Sequence, residues 1–230
     1  MDSGRARTVK GMRSALALLL GAAALAAAAS GAAATTPKVT QLILRASQVG
    51  PGYVLFQRMD GHGVKTQVTL DLCGNDYPSE TLRVTRLQTN YLHRGTTTGI
   101  SNEVVTYRPG GAAQAMREVI RHATNCPTSP VPSGVQGVPR LTYKITRVQD
   151  PHLLKGYLAV RVHVSGVVKG KRVSDVWYAV YQRRGDVFSG VYSFGSLASV
   201  QSQLRLCLHA AEQSAQNLRN GGAAPSGPTA

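Results

Sequence analysis

Val68-Thr69-Leu70-Asp71-Leu72-Cys73-Gly74 opens, and Ala123-Thr124-Asn125-Cys126-Pro127 closes, the stretch whose reading decides the fold. Val68, Leu70 and Leu72 alternate with Thr69 and Asp71, the period of a half-buried strand ending at Cys73. Gly74-Asn75-Asp76-Tyr77-Pro78 reads as a turn. Val84 to Leu92 and Ile100 to Arg108 follow as extended runs, joined by Gly95-Thr96-Thr97-Thr98-Gly99 in the manner of an antiparallel hairpin. Pro109-Gly110-Gly111 stops the second run. Met116, Val119, Ile120 and Ala123 then recur at helical spacing up to Cys126.

Upstream, Lys38 to Ala46 is too short for periodicity to choose between helix and strand, and Gly50-Pro51-Gly52 ends it either way. Tyr53-Val54-Leu55-Phe56 reads as an edge strand. Downstream, Pro127 to Pro139 holds four prolines and is expected to be a loop inside one domain. Leu141 to Val148, Leu158 to Ser165, Val173 to Gln182 and Val187 to Phe194 read as strands, the last three as a meander. Val176, Tyr178 and Val180 oppose Val173, Trp177 and Tyr181, and apolar residues on both faces predict a strand near the sheet centre. Val200, Leu204, Cys207, Leu208, Ala211, Ala215 and Leu218 form one stripe of a closing helix. Strand runs punctuated by isolated helices predict an α+β fold, a curved and mainly antiparallel sheet with two principal helices packed on it.

The chain has 230 residues and a formal net charge of +15. Arg5, Arg7, Lys10 and Arg13 precede an uncharged apolar run, Ala15 to Ala29, and Ala32-Ala33-Ala34 offers small residues to a signal peptidase. Residues 1–34 therefore read as an export signal cut after Ala34, with a retained anchor as the alternative. Cutting there leaves a charge of +12, four basic residues and Asp2 having been removed. Residues 35–220 form the expected single domain, and 221–230 are too poor in apolar surface to order. In an oxidising compartment three cysteines leave one over. Cys73 and Cys126 sit at element ends while Cys207 sits mid-helix on the apolar stripe, so a Cys73–Cys126 disulfide with Cys207 as a buried thiol is expected. Pairings of Cys207 with Cys73 or Cys126 stay open.

No complete catalytic or metal signature is present. The six histidines form no HExxH and no zinc-type pairs, and no cofactor is expected. Gly190 to Gly195 lacks the spacing of a nucleophile elbow, and Arg172 stands where a phosphate loop needs Ser or Thr. Arg184-Gly185-Asp186 is explained by turn chemistry. The candidate ligand contacts are Lys169, Lys171, Arg172, Arg183 and Arg184 at two hairpin turns, and Gly110 and Gly111, whose amides open a helix where an anion can sit. The two turns can lie at opposite ends of the middle strand. Aromatic interleaving is missing, so nucleic acid is not the expected partner; an anionic envelope polymer or lipid is.

Leu70-Asp71-Leu72-Cys73-Gly74, Tyr77-Pro78-Ser79-Glu80, Ser101-Asn102-Glu103-Val104-Val105 and Tyr107-Arg108-Pro109-Gly110-Gly111-Ala112-Ala113 resemble secreted sensor-domain proteins of actinobacteria, related to the extracellular sensor domain of the PknH-type receptor kinase. The resemblance covers about residues 39–220. It implies an extracytoplasmic α+β domain with a curved antiparallel sheet, a ligand cleft, no known chemistry and disulfide support. This chain has three cysteines where the kinase sensor domain uses four, and it has no kinase segment. The expected function is a secreted, non-enzymatic ligand-binding or sensor-like domain of the cell envelope. An envelope hydrolase and a structural envelope protein are the alternatives.

Overall fold

The computed structural model describes residues 38–60, 70–132, 140–168, 170–195 and 199–221. The expected export signal, nearly all of the tail, most of the Pro-rich loop and Lys169 lie outside the described residues. Within them, β1 (Tyr53–Asp60), β2 (Arg83–His93), β3 (Gly99–Tyr107), β4 (Val131–Pro132), β5 (Arg140–Val148), β6 (Leu158–Val168), β7 (Lys171–Arg184) and β8 (Val187–Phe194) form one open sheet. Its order is β1-β2-β3-β8-β7-β6-β5-β4, and every neighbouring pair is antiparallel. The α+β expectation holds, with β1 at an edge and β7 well inside the sheet.

Two long helices cover the sheet, one on each face. The crossover helix α3 (Gly111–Thr124) packs Ala112, Ala115, Met116 and Val119 against Val105, Tyr107, Val160, Val162, Tyr181 and Phe188. The closing helix α4 (Val200–Arg219) packs Cys207, Ala210 and Ala211 against Ile100, Ala159, Tyr178, Val180 and Val191. Val104 faces α4's end and Val105 faces α3, because successive strand side chains point to opposite faces. Two short helices, α1 (Val39–Leu42) and α2 (Ala46–Val49), settle the ambiguity of the lead segment. Buried amides hold them: Leu44 N donates to Asn102 Oδ1 at 2.9 Å, and Asn217 Nδ2 donates to Leu42 O at 3.2 Å.

One expectation needs correction. The segment ending at Cys73 is not a strand over residues 70–72; it runs into a 3-10 turn, Leu72–Gly74. Leu70 and Leu72 are buried and Asp71 is not, so the alternation in the sequence is real. It records burial against α3's cluster without ladder pairing. Cys73 adopts φ 65°, alone among the described non-glycine residues in the left-handed region. That bend brings it to Cys126, with Cα atoms 5.5 Å apart in the disulfide.

Candidate functional site

Helix α3 is too short to cover its face. Fourteen residues span about 21 Å, whereas the fourteen of β7 span about 47 Å. From the uncovered part rises a cleft of about 560 Å³, whose floor is the α3 face of β2, β3, β7 and β8 and whose side is the turn bearing Asp71. Its floor follows from register. Gln57, Asn90, Ser101 and Tyr192 stand opposite one another across β1, β2, β3 and β8, and the next row is Gln88, Glu103 and Gly190. Gly190 leaves room for the Tyr192 ring: an added Cβ would lie 2.3 Å from the Tyr192 hydroxyl.

The floor is polar and tied together. Arg86 Nε donates to Glu103 Oε1 in an ion pair whose side chains are only 5% and 3% exposed. Arg86 Nη2 donates to Gln88 Oε1 at 2.5 Å, Gln88 Nε2 to Ser101 Oγ at 2.8 Å, and Asn90 Nδ2 to Gln57 Oε1 at 2.9 Å. Aromatic rings supply the walls: Trp177, Tyr192 and Phe194 inside, and Phe56, 67% exposed, at the rim beside the bulge between Leu55 and Gln57. Such an exposed ring beside a polar-floored concavity suits ligand contact more than folding.

Three carboxylates line the cleft, those of Asp71, Glu103 and Asp175, against one guanidinium, that of Arg86. In a chain with 26 basic and 11 acidic residues this inverts the overall balance. Glu103 is neutralised by Arg86, and among the described residues Asp71 and Asp175 form no ion pair. Asp71 keeps solvent access, yet the protein around it raises its carboxyl above the ordinary range through lost hydration. The Tyr192 hydroxyl is raised as well, burial being the main cause.

None of the cleft's polar residues was singled out as a ligand contact by sequence. Their signal is the polar stretch of an otherwise core strand, Ser101-Asn102-Glu103, and it is split between faces: Ser101 and Glu103 line the cleft, while Asn102 accepts from the amide of Leu44, between α1 and α2. Of the predicted contacts, Arg172 and Arg183 stand eleven residues apart on β7, about 37 Å, so the two turns make no single patch. Arg184 Nη1 donates to the carbonyls of Leu218 and Arg219, capping α4. The amide of Gly110 donates to Asp186 Oδ1 at 2.8 Å and that of Gly111 to Arg108 O at 2.8 Å. Asp150, His152 and Glu212 bring ligand atoms within 4.8 Å of one another, with His152 Nδ1 3.1 Å from Asp150 Oδ1. The same arrangement serves as a loop histidine held by hydrogen bonding to Asp150 beside Glu212 of α4.

These features define an open-sheet α+β domain with a cleft on a half-covered face. The extracellular domain of PknH from Mycobacterium tuberculosis has a similar structure, with 12% identity over 77% of this chain and 94% of that chain and a TM-score of 0.49. No family model and no curated protein matches the sequence.

Proposed function

We propose that this is a secreted, non-enzymatic binding domain, sensor-like in build, whose cleft takes a small hydroxyl- or amine-bearing ligand. The observation that carries the reading is the lining: aromatic rings over a floor of amides, a hydroxyl and unpaired carboxylates. Aromatic faces stack on a ring or attract a cation, and Gln57, Gln88, Asn90 and Asp175 offer hydrogen bonds to hydroxyl or ammonium groups. An anionic ligand would meet two uncompensated carboxylates. The disulfide fits an oxidising compartment. Cleavage after Ala34 is tested by N-terminal sequencing of protein from culture medium, which is expected to begin at Thr35.

Trp177 is the chain's single tryptophan and lines the cleft, so its emission reports on occupancy. Glucosamine, glucose and glucuronate share one ring and differ in charge. Saturable emission changes with glucosamine or glucose, weakened by Asp175→Asn, are the expected result. Tightest binding of glucuronate would reject the ligand class, and no response to any member, in emission or in melting temperature, would reject the cleft as this site. The raised carboxyl of Asp71 favours a second reading, a hydrolase using it as general acid. Release of product from glycosides, abolished by Asp71→Asn, would establish that reading over the first.

A further inference from the structure

The opposite face of the same sheet carries a second feature. Where α4 ends its cover, three strands remain open, and register sets their side chains in rows. Thr146 opposes Arg161, Lys144 opposes His163, Thr142 opposes Ser165, and Ser165 opposes Ser174. Val167 opposes Arg172 in the last row. Arg161 and Tyr178 are register partners, and Tyr178 packs on α4's cluster, which fixes this as the α4 face. His163 Nε2 lies 2.7 Å from Ser174 Oγ, consistent with the same side. Arg140, two residues before Thr142, and Arg172, two before Ser174, complete the face and line a cavity of about 590 Å³ with Thr142, Ser165 and Ser174.

Arg140, Lys144, Arg161 and Arg172 are all exposed. Strands β5 to β7 contain one acidic residue, Asp175, and alternation sends it to the other face, into the cleft already described. The result is a strip about 10 Å wide and about 20 Å long with cations, and hydroxyls between them. No described ion pair consumes any of the four. Simple solubilising charge would scatter across the surface and mix with carboxylates.

We infer that this strip is a docking surface for a linear polyanion, a polymer carrying phosphate or carboxylate groups along an extended chain. Guanidinium and ammonium groups supply charge at several rows, and the hydroxyls of Thr142, Ser165 and Ser174 donate between them. A polymer is favoured over a membrane because the exposed large apolar side chains a bilayer would take up are two: Val167 on this face, and Val173, which alternation turns to the other face, at the rim of the same cavity. The surface is independent of the cleft, which faces the other way.

The test compares two triple variants that change net charge equally. Lys144→Glu/Arg161→Glu/Arg172→Glu reverses the strip, and Arg94→Glu/Arg117→Glu/Arg183→Glu reverses three exposed cations elsewhere. Binding to long-chain polyphosphate and to polyglutamate is measured by fluorescence anisotropy at low and physiological salt, beside vesicles of phosphatidylglycerol. The strip variant is expected to lose about fivefold in affinity for each cation reversed, the control much less. Wild-type affinity falls as salt rises, since exposed charges are screened beyond about 8 Å at physiological strength. Glutamine triples at the same positions replace both variants if the strip variant does not fold, so that the two still change net charge equally. Equal losses in both triples would show a general charge effect and overturn the site, as would failure of wild type to bind either polymer; vesicle binding stronger than polymer binding would overturn the choice of partner.

Discussion

Replacing both bridge cysteines, Cys73→Ser/Cys126→Ser, removes a crosslink between residues 53 apart in sequence. In the chain-entropy model a loop of that length restricts the unfolded state by about 14 cal/mol/K, or about 4 kcal/mol at 25 °C. Single domains are stable by about 5–15 kcal/mol, so the variant stands near the margin, with melting lowered by about 10 °C. Cys73 adds a second effect. Its left-handed backbone, φ 65°, costs a side-chain-bearing residue about 1 kcal/mol that glycine avoids, so Cys73→Gly/Cys126→Ser is expected to be the less destabilised pair. The assay is urea unfolding followed by Trp177 emission and far-ultraviolet circular dichroism, whose transitions must coincide. A loss under about 1 kcal/mol would refute the loop argument. Asp71 lies two residues from Cys73, so the same variant is also expected to weaken the cleft's ligand response.

Arg86→Met leaves Glu103 buried without its cation and is expected to cost about 3–5 kcal/mol, while Arg86→Met/Glu103→Leu recovers much of it; equal melting of the two variants would contradict this. Gly99→Ala puts a Cβ 2.2 Å from Phe194 Cζ and 2.3 Å from the Tyr91 carbonyl oxygen, a backbone atom that cannot swing aside, and is expected to cost about 3 kcal/mol in a denaturant titration. Burial raises the Cys207 thiol from 9.0 to about 12, so the unfolded chain ionises first and stability falls as pH climbs between those values. Cys207→Ala should flatten that decline by up to about 1.4 kcal/mol per pH unit, and iodoacetamide should label Cys207 only in denaturant.

The elements were legible where one face had to be buried. Alternation located β2, β3, β6, β7 and β8, and the helical stripe at Met116 and Val119 located α3, because each pattern reports contact with a core. The bridge was legible from the same logic: Cys207 proved to be free, buried among Ala210, Ala211 and Val191. The turn at Cys73 was not, since Leu70 and Leu72 are buried by a loop packing on α3's cluster, and alternation cannot tell a paired strand from a folded-over segment. The cleft was illegible for a different reason. Its residues come from β1, β2, β3, β7, β8 and the Asp71 turn, and only the order β3-β8-β7 brings Ser101, Tyr192 and Trp177 together. Net charge pointed to the hairpin turns, but Arg184 caps a helix there, and the aligned cations of β5 and β6, each flanked in sequence by apolar residues, read as the outer face of ordinary strands.

Both surfaces follow from one geometric mismatch, strands longer than the helices laid over them. Each face of the sheet is apolar only as far as α3 or α4 reaches, and beyond that limit the period of two sorts the remaining side chains. Within β7, Asp175 and Trp177 go to the cleft while Arg172 and Ser174 go to the basic strip. A slip of one residue would exchange them, placing an arginine in the cleft and an aspartate among the cations. The inner half of the strand forbids that slip, because Tyr178 and Val180 fill α4's cluster while Ala179 and Tyr181 fill α3's. Gly170, at φ 76°, closes the hairpin that aligns β6 with it. The core of β7 therefore sets which charge appears on which face of its exposed end, and separates an acidic cleft from a basic strip by the thickness of a single sheet.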